Sequence, residues 1–66
     1  MIATVVGFTP SGAAHIKPDG SYSIFRAHQN VVNACPVSLD FGDRVNVRLA
    51  KDRVGDMVVV KIEPAH

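Results

Sequence analysis

Apolar residues in this chain fall at alternate positions or in short runs, and rarely hold the three-and-four spacing of an amphipathic helix. The pattern predicts five strands. Ile2 to Phe8 is the first, Ala13 to Lys17 the second and Tyr22 to His28 the third. Arg44 to Ala50 alternates cleanly, with Val45, Val47 and Leu49 on one side and Arg44, Asn46 and Arg48 on the other. Met57 to Ile62 is the last. Turn-forming residues separate them: Thr9-Pro10-Ser11-Gly12, Pro18-Asp19-Gly20, Phe41-Gly42-Asp43 and the stretch from Lys51 to Asp56. Asp43 and Asp56 sit just outside strands four and five, where aspartate serves turns. Gln29 to Leu39 is the one long connection, with room for a short helical turn.

Five short strands in a 66-residue chain predict a single domain over residues 1–66, with the sheet rolled into a barrel. Closure removes edge strands and gives one continuous core. Reinforcement by an internal disulfide is excluded, because Cys35 is the only cysteine. That lone thiol, and an opening Met1-Ile2-Ala3-Thr4-Val5-Val6 without a basic start, predict a cytoplasmic protein. No apolar run approaches the ~20 residues of a membrane span, so no membrane partner is expected.

The second and third strands carry the most specific signal. Pro18-Asp19-Gly20-Ser21 is a hairpin turn with Gly20 free to take positive φ. With Asp19-Gly20-Ser21 as the loop, Ile16 lies opposite Ile24, His15 opposite Phe25 and Ala13 opposite Ala27. Ile16 and Ile24 then share the core face, and His15, Lys17, Ser23 and Phe25 share the face toward water. Continued alternation aims Arg26 into the barrel, where an unpaired charge costs several kcal/mol. A bulge at Arg26 would turn Ala27 inward and His28 outward. The rival is Arg26 at the barrel rim, with its head reaching solvent.

The order Ala3-Thr4-Val5-Val6-Gly7-Phe8, Ser11-Gly12-Ala13-Ala14-His15-Ile16, Ile24-Phe25-Arg26-Ala27-His28 and Leu39-Asp40-Phe41-Gly42-Asp43-Arg44-Val45 resembles the cold-shock domain family. That family's corresponding segments read G-x-V-x-W-F, K-G-F-G-F-I, V-F-V-H and L-x-x-G-x-x-V. The third strand is one residue longer here, and the basic residues of strand four and Val58-Val59-Val60 depart from the pattern. The resemblance implies an all-β, small five-stranded antiparallel OB-fold-like barrel whose surface aromatics stack on bases of single-stranded RNA or DNA. Carried over by position, Gly7 stands for the tryptophan, Ala13 and His15 for two phenylalanines, and Ser11 for the lysine. Phe8 and Phe25 remain, and His28 does so with the bulge at Arg26. Each lost base–aromatic stack removes about 1–3 kcal/mol, so binding is expected to be weak and of little sequence preference.

The expected nucleic-acid-binding residues are therefore Phe8, His15, Phe25 and His28 for stacking, with Lys17 and Arg26 toward the backbone. A net charge of +1 does not argue for tight, salt-driven binding. Arg44, Arg48, Lys51 and Arg53 form the densest basic cluster, expected mostly away from the stacking face as a solvated surface. Tyr22 at the hairpin reads as a ligand contact or simply as a strand former. No cofactor or metal is expected, since His15, His28 and Cys35 lack a zinc-site spacing. Catalysis is not expected either. Glu63 is the only glutamate, the aspartates sit in turns, and no phosphate-cradling glycine loop is present. The alternative function is a protein-interaction module, an OB-fold regulator or homodimer, docking through a smooth Gly7–Ala13–Ala27 face between Phe8 and Phe25. A structural subunit of a larger assembly is a third reading.

Overall fold

Valine-rich strand β1 (Ile2–Phe8) buries Ala3 and Val5 completely and leaves Ile2 and Thr4 partly exposed, the alternation its sequence dictates. The computed structural model describes residues 1–65. Beyond β1 they form β2 (Ala14–Pro18), β3 (Phe25–Ala27), α1 (Gln29–Ala34), β4 (Arg44–Lys51) and β5 (Met57–Pro64). Around the barrel the order is β1-β2-β3-β5-β4, and β4 returns to pair with β1 through Ile2–Thr4. Neighbours run antiparallel except β3 and β5, which are parallel and pair only at Ala27 and Val59. The result is an all-β closed five-stranded barrel with one short helix, an OB-fold-like arrangement.

Two bulges help the sheet curl. Val5 faces Ile16 but Gly7 faces His15, so Val6 is the extra residue on β1. Arg48 faces Lys61 but Leu49 faces Val59, so Val60 is extra on β5. An unpaired residue bends its strand and increases the local twist, which is what closure needs. The second bulge also explains why Val59 and Ile62, three apart, are both buried at 1% and 3% exposure. Pro18 ends β2 beyond the last residue that β3 pairs with, so its missing N–H breaks no ladder bond there.

The core is Val5, Ile16, Val45, Val47, Val59 and Ile62 packed around the small side chains of Ala3, Ala14 and Ala27. Val31 and Val32 of α1, with Cys35, Leu39 and Leu49, pack against its margin. Leu49 thus joins Val45 and Val47 on the inner side of β4, as the alternation requires. Cys35 ends the helix, donating its backbone N–H to the Val32 carbonyl at 3.2 Å. No helix among the described residues is long and apolar enough to cross a membrane.

The β2–β3 register differs by one residue from the expected hairpin. Ile16 pairs with Phe25, His15 with Arg26 and Ala14 with Ala27. Gly20 does take positive φ, at 76°, and the Ser21 N–H closes that turn on the Pro18 carbonyl at 3.1 Å. The loop does not end there. The Ser21 hydroxyl accepts the Ser23 N–H at 3.0 Å, a second local turn that carries the connection through Ile24. A one-residue shift exchanges the two faces of a strand. Phe25 therefore stands on the core side with Ile16, half-buried, while Ile24 lies in the loop at 56% exposure. Arg26 points outward beside His15 without a bulge, so neither the expected bulge nor a rim position with the head reaching solvent is needed.

Candidate functional site

The outward positions of β2 are His15 and Lys17, because Ala14, Ile16 and Pro18 are the buried alternates. β3 adds Arg26 directly opposite His15. β1 adds Thr4 opposite Lys17 and Gly7 opposite His15. Gly7 has no side chain to cover its neighbour: a Cβ built there would come within 4.0 Å of His15 Nδ1. The imidazole is consequently flanked by bare backbone. His28 follows β3, exposed, with extended backbone at φ −64° and ψ 160°; its carbonyl accepts the Val31 and Val32 N–H groups of α1, while its side chain makes no capping bond.

The β2–β3 face thus gathers His15, Lys17, Arg26 and His28, and its strand positions hold no acidic side chain. Arg26 makes no ion pair among the described residues. The nearest acid in sequence to Lys17, Asp19, is engaged by Arg44, whose Nη1 donates to Asp19 Oδ1 at 3.0 Å while Nη2 donates to Oδ2. Lys17 and Arg26 are thus unpaired among the described residues, with Asp52 and Asp56 bordering the face at one side.

Two clefts flank Arg26. One, of about 600 Å³, lies between the β1–β2 loop and the start of α1, lined by Thr9, Ser11, Arg26, His28, Gln29 and Asn30. It contains hydroxyl, amide, imidazole and guanidinium groups and no carboxylate. The loop that forms it is held by its own bonds: Thr9 Oγ1 accepts the Ala13 N–H at 3.1 Å, and the Gly12 N–H reaches the Thr9 carbonyl at 3.0 Å. Gly12 takes φ +90°, and a Cβ there would approach Gln29 Cγ to 3.3 Å, so loop and helix meet closely at that point. The second cleft, of about 510 Å³, runs along the seam where β3 and β5 separate, with His15, Phe25 and Arg26 on one side and Asp56, Met57 and Val58 on the other.

The expected stacking aromatics are not on the outer face. Phe8 pairs with buried Ala14 at the end of β1, 44% exposed and apart from the core cluster. Phe25 presents its ring at the seam from the core side. His15, Lys17, Arg26 and His28 are brought together, whereas Phe8 and Phe25 stand at the margins. Tyr22 is fully exposed on the β2–β3 loop, away from both clefts. Thr9, Gln29 and Asn30 are polar lining residues that the sequence pattern did not single out, while Ser11 was marked only as standing where the resemblance has a lysine. Their only local signal was position: the loop after β1 and the residues after β3.

The basic cluster of β4 divides. Arg44 is tied to Asp19, and Arg48 lies on the outer β4–β5 face near Lys61 and Glu63. Lys61 Nζ contacts Glu63 Oε1 at 2.9 Å, and that hydrogen bond, with the Lys61 and Arg48 charges, holds the Glu63 carboxyl below the usual glutamate range. The β4–β5 turn, in contrast, borders the β2–β3 face through Asp52 and Asp56.

The smooth docking face expected from Gly7, Ala13 and Ala27 does not exist. Ala13 is 5% exposed, Ala27 is fully buried, and Ala27 pairs with Ala14 inside the barrel. No family model matches the chain, and no curated protein or solved structure matches it.

Proposed function

We propose that the protein binds single-stranded RNA or DNA across the β2–β3 face, weakly and with little dependence on sequence, as a divergent relative of the cold-shock domains. The observation that carries this reading is the grouping of Lys17, Arg26, His15 and His28 on one outward face whose strand positions hold no acid. Strands two and three, flanked by the β1–β2 and β4–β5 loops, are also the surface that OB-folds offer to oligonucleotides. Lys17 and Arg26 meet phosphates, and His15 and His28 stack or donate hydrogen bonds. Phe25 contributes an aromatic surface at the seam, and Phe8 one at the barrel end. Without a row of rings on the outer face, affinity comes mostly from the backbone contacts and is low. A role in regulating transcripts or transcription is consistent with such a binder.

A protein-docking role is the second reading. With the alanine face gone, it rests on the groove between α1 and β5, where Val31, Ala34, Pro36 and Val60 leave apolar surface open. An NMR titration of the labelled protein with a short single-stranded oligonucleotide separates the two. Shifts at His15, Lys17, Arg26 and His28 that shrink as salt rises are expected. Absence of shifts at low salt would refute nucleic-acid binding.

A further inference from the structure

We propose that the seam between β3 and β5 is a base pocket that prefers guanine, read by the carboxylate of Asp56. The inference deepens the single-strand reading and rests on it. Because β3 and β5 run parallel and pair only at Ala27 and Val59, they part toward their N-terminal ends. The opening, about 510 Å³, is within the ~300–1,000 Å³ of small-ligand pockets. Its walls suit a planar base: the half-buried Phe25 ring on one side, and the polarizable Met57 side chain, 40% exposed, on the other. Arg26 lines both this cleft and the acid-free one beside it, so a phosphate it held would lie beside the base.

The two acids at the rim have different tasks. Asp52 Oδ1 accepts the Val54 and Asp56 N–H groups, each at 2.9 Å, and so holds the β4–β5 turn. The Asp56 carboxylate makes no hydrogen bond or ion pair among the described residues. A free carboxylate repels phosphate, and it helps binding only if a ligand brings donors to it. An ionised carboxylate is acceptor-only, with two oxygens side by side. Guanine presents two adjacent N–H donors, N1–H and the N2 amino group, on one edge. Cytosine and adenine each place one amino donor beside a ring-nitrogen acceptor. Uracil and thymine place one N–H between two carbonyls. Only guanine meets both oxygens without setting an acceptor against the negative charge.

The test uses two short uridine oligonucleotides, one with a central guanosine, titrated against wild type and Asp56→Asn by fluorescence anisotropy. Asp56 is exposed and the variant keeps its backbone N–H to Asp52, so an unchanged amide spectrum is expected. Wild type should bind the guanosine oligonucleotide about fivefold more tightly, the low end for a bidentate base contact because the seam is open to water. The preference should vanish in Asp56→Asn, while the all-uridine strand binds the variant at least as well as wild type. Equal binding of both strands by wild type, or a preference that survives the substitution, would overturn the pocket alone. Binding of neither strand would overturn the single-strand reading and the pocket together.

Discussion

Replacing Arg26 with alanine separates charge-driven binding from apolar docking. Arg26 is exposed and opposite His15 on the outer face, with no ion pair among the described residues, so its loss removes no packing and should leave the melting temperature unchanged. Single-stranded nucleic acid releases counterions in proportion to the phosphates neutralised, with a slope in log K against log salt of about −0.7 per contact. Two contacts, Lys17 and Arg26, give about −1.4, and one gives about −0.7. Between ~50 and ~200 mM salt, wild type should therefore lose roughly sevenfold in affinity and Arg26→Ala roughly 2.6-fold. At the lower salt the variant should bind about fivefold more weakly, equivalent to about 1 kcal/mol for one exposed charge contact. Anisotropy titrations of one labelled oligonucleotide at several salt concentrations, near pH 8 to stay above the range where imidazoles ordinarily gain charge, measure both quantities. A slope that Arg26→Ala leaves untouched would show that this side chain meets no phosphate. A wild-type slope near zero would refute electrostatic binding by the face as a whole.

The other expectations test packing and local electrostatics. Phe25→Ala should destabilise the fold by about 2 kcal/mol, half the usual cost of a buried phenylalanine, because the ring is half-buried against the core. A domain of this size has about 3–10 kcal/mol in total, so the variant still folds, and an unchanged urea midpoint would contradict the observed register. Gly12→Ala should cost about 1–2 kcal/mol, since φ +90° is unfavourable for a side chain and Gln29 must shift; thermal melts check this, and a wild-type melting temperature would refute it. Lys61→Ala should raise the Glu63 titration midpoint, because the lysine is the main cause of its lowering. The sign follows from the lowered value: the pair stabilises the fold above the ordinary glutamate range and loses that contribution as pH falls through the Glu63 midpoint. A midpoint by side-chain carboxyl NMR that does not move upward would disprove the assignment.

The strand pattern was legible because it depends on alternation and punctuation, which are local. Residues 44–50 show this best: Arg44, Asn46 and Arg48 face out while Val45 and Val47 are buried, as their sequence demands. β1 coincides with its expected span, and the helical turn after the third strand is α1. The third strand shrank from Tyr22–His28 to three residues because Ser21 and Ser23 build a turn of their own. The bulges at Val6 and Val60 had no signal, since both sit in valine runs where every position reads as apolar.

Arg26 shows how much a register decides. The expected hairpin sent this charge into the barrel and needed a bulge to release it. That conflict had a second solution, a loop longer by one residue at the far side, which frees Arg26, buries Ala27 and turns Phe25 inward at one stroke. The shift requires no extra unpaired residue in β3, so the charge cost itself favoured it. Its functional consequence is opposite for the two side chains. Arg26 gains the outer face beside His15, whereas Phe25 leaves it and becomes a wall of the seam. The rest of the site was beyond local reading for a different reason. Thr9 and Ser11 are brought beside Arg26 and His28 by the β1–β2 and β2–β3 pairings, and Asp56 beside Phe25 by the parallel β3–β5 pairing, proximities set by topology rather than by any spacing along the chain. On the proposed reading, a face with charge at its centre and rings only at its margins would grip the backbone first, and its base preference would come from the seam.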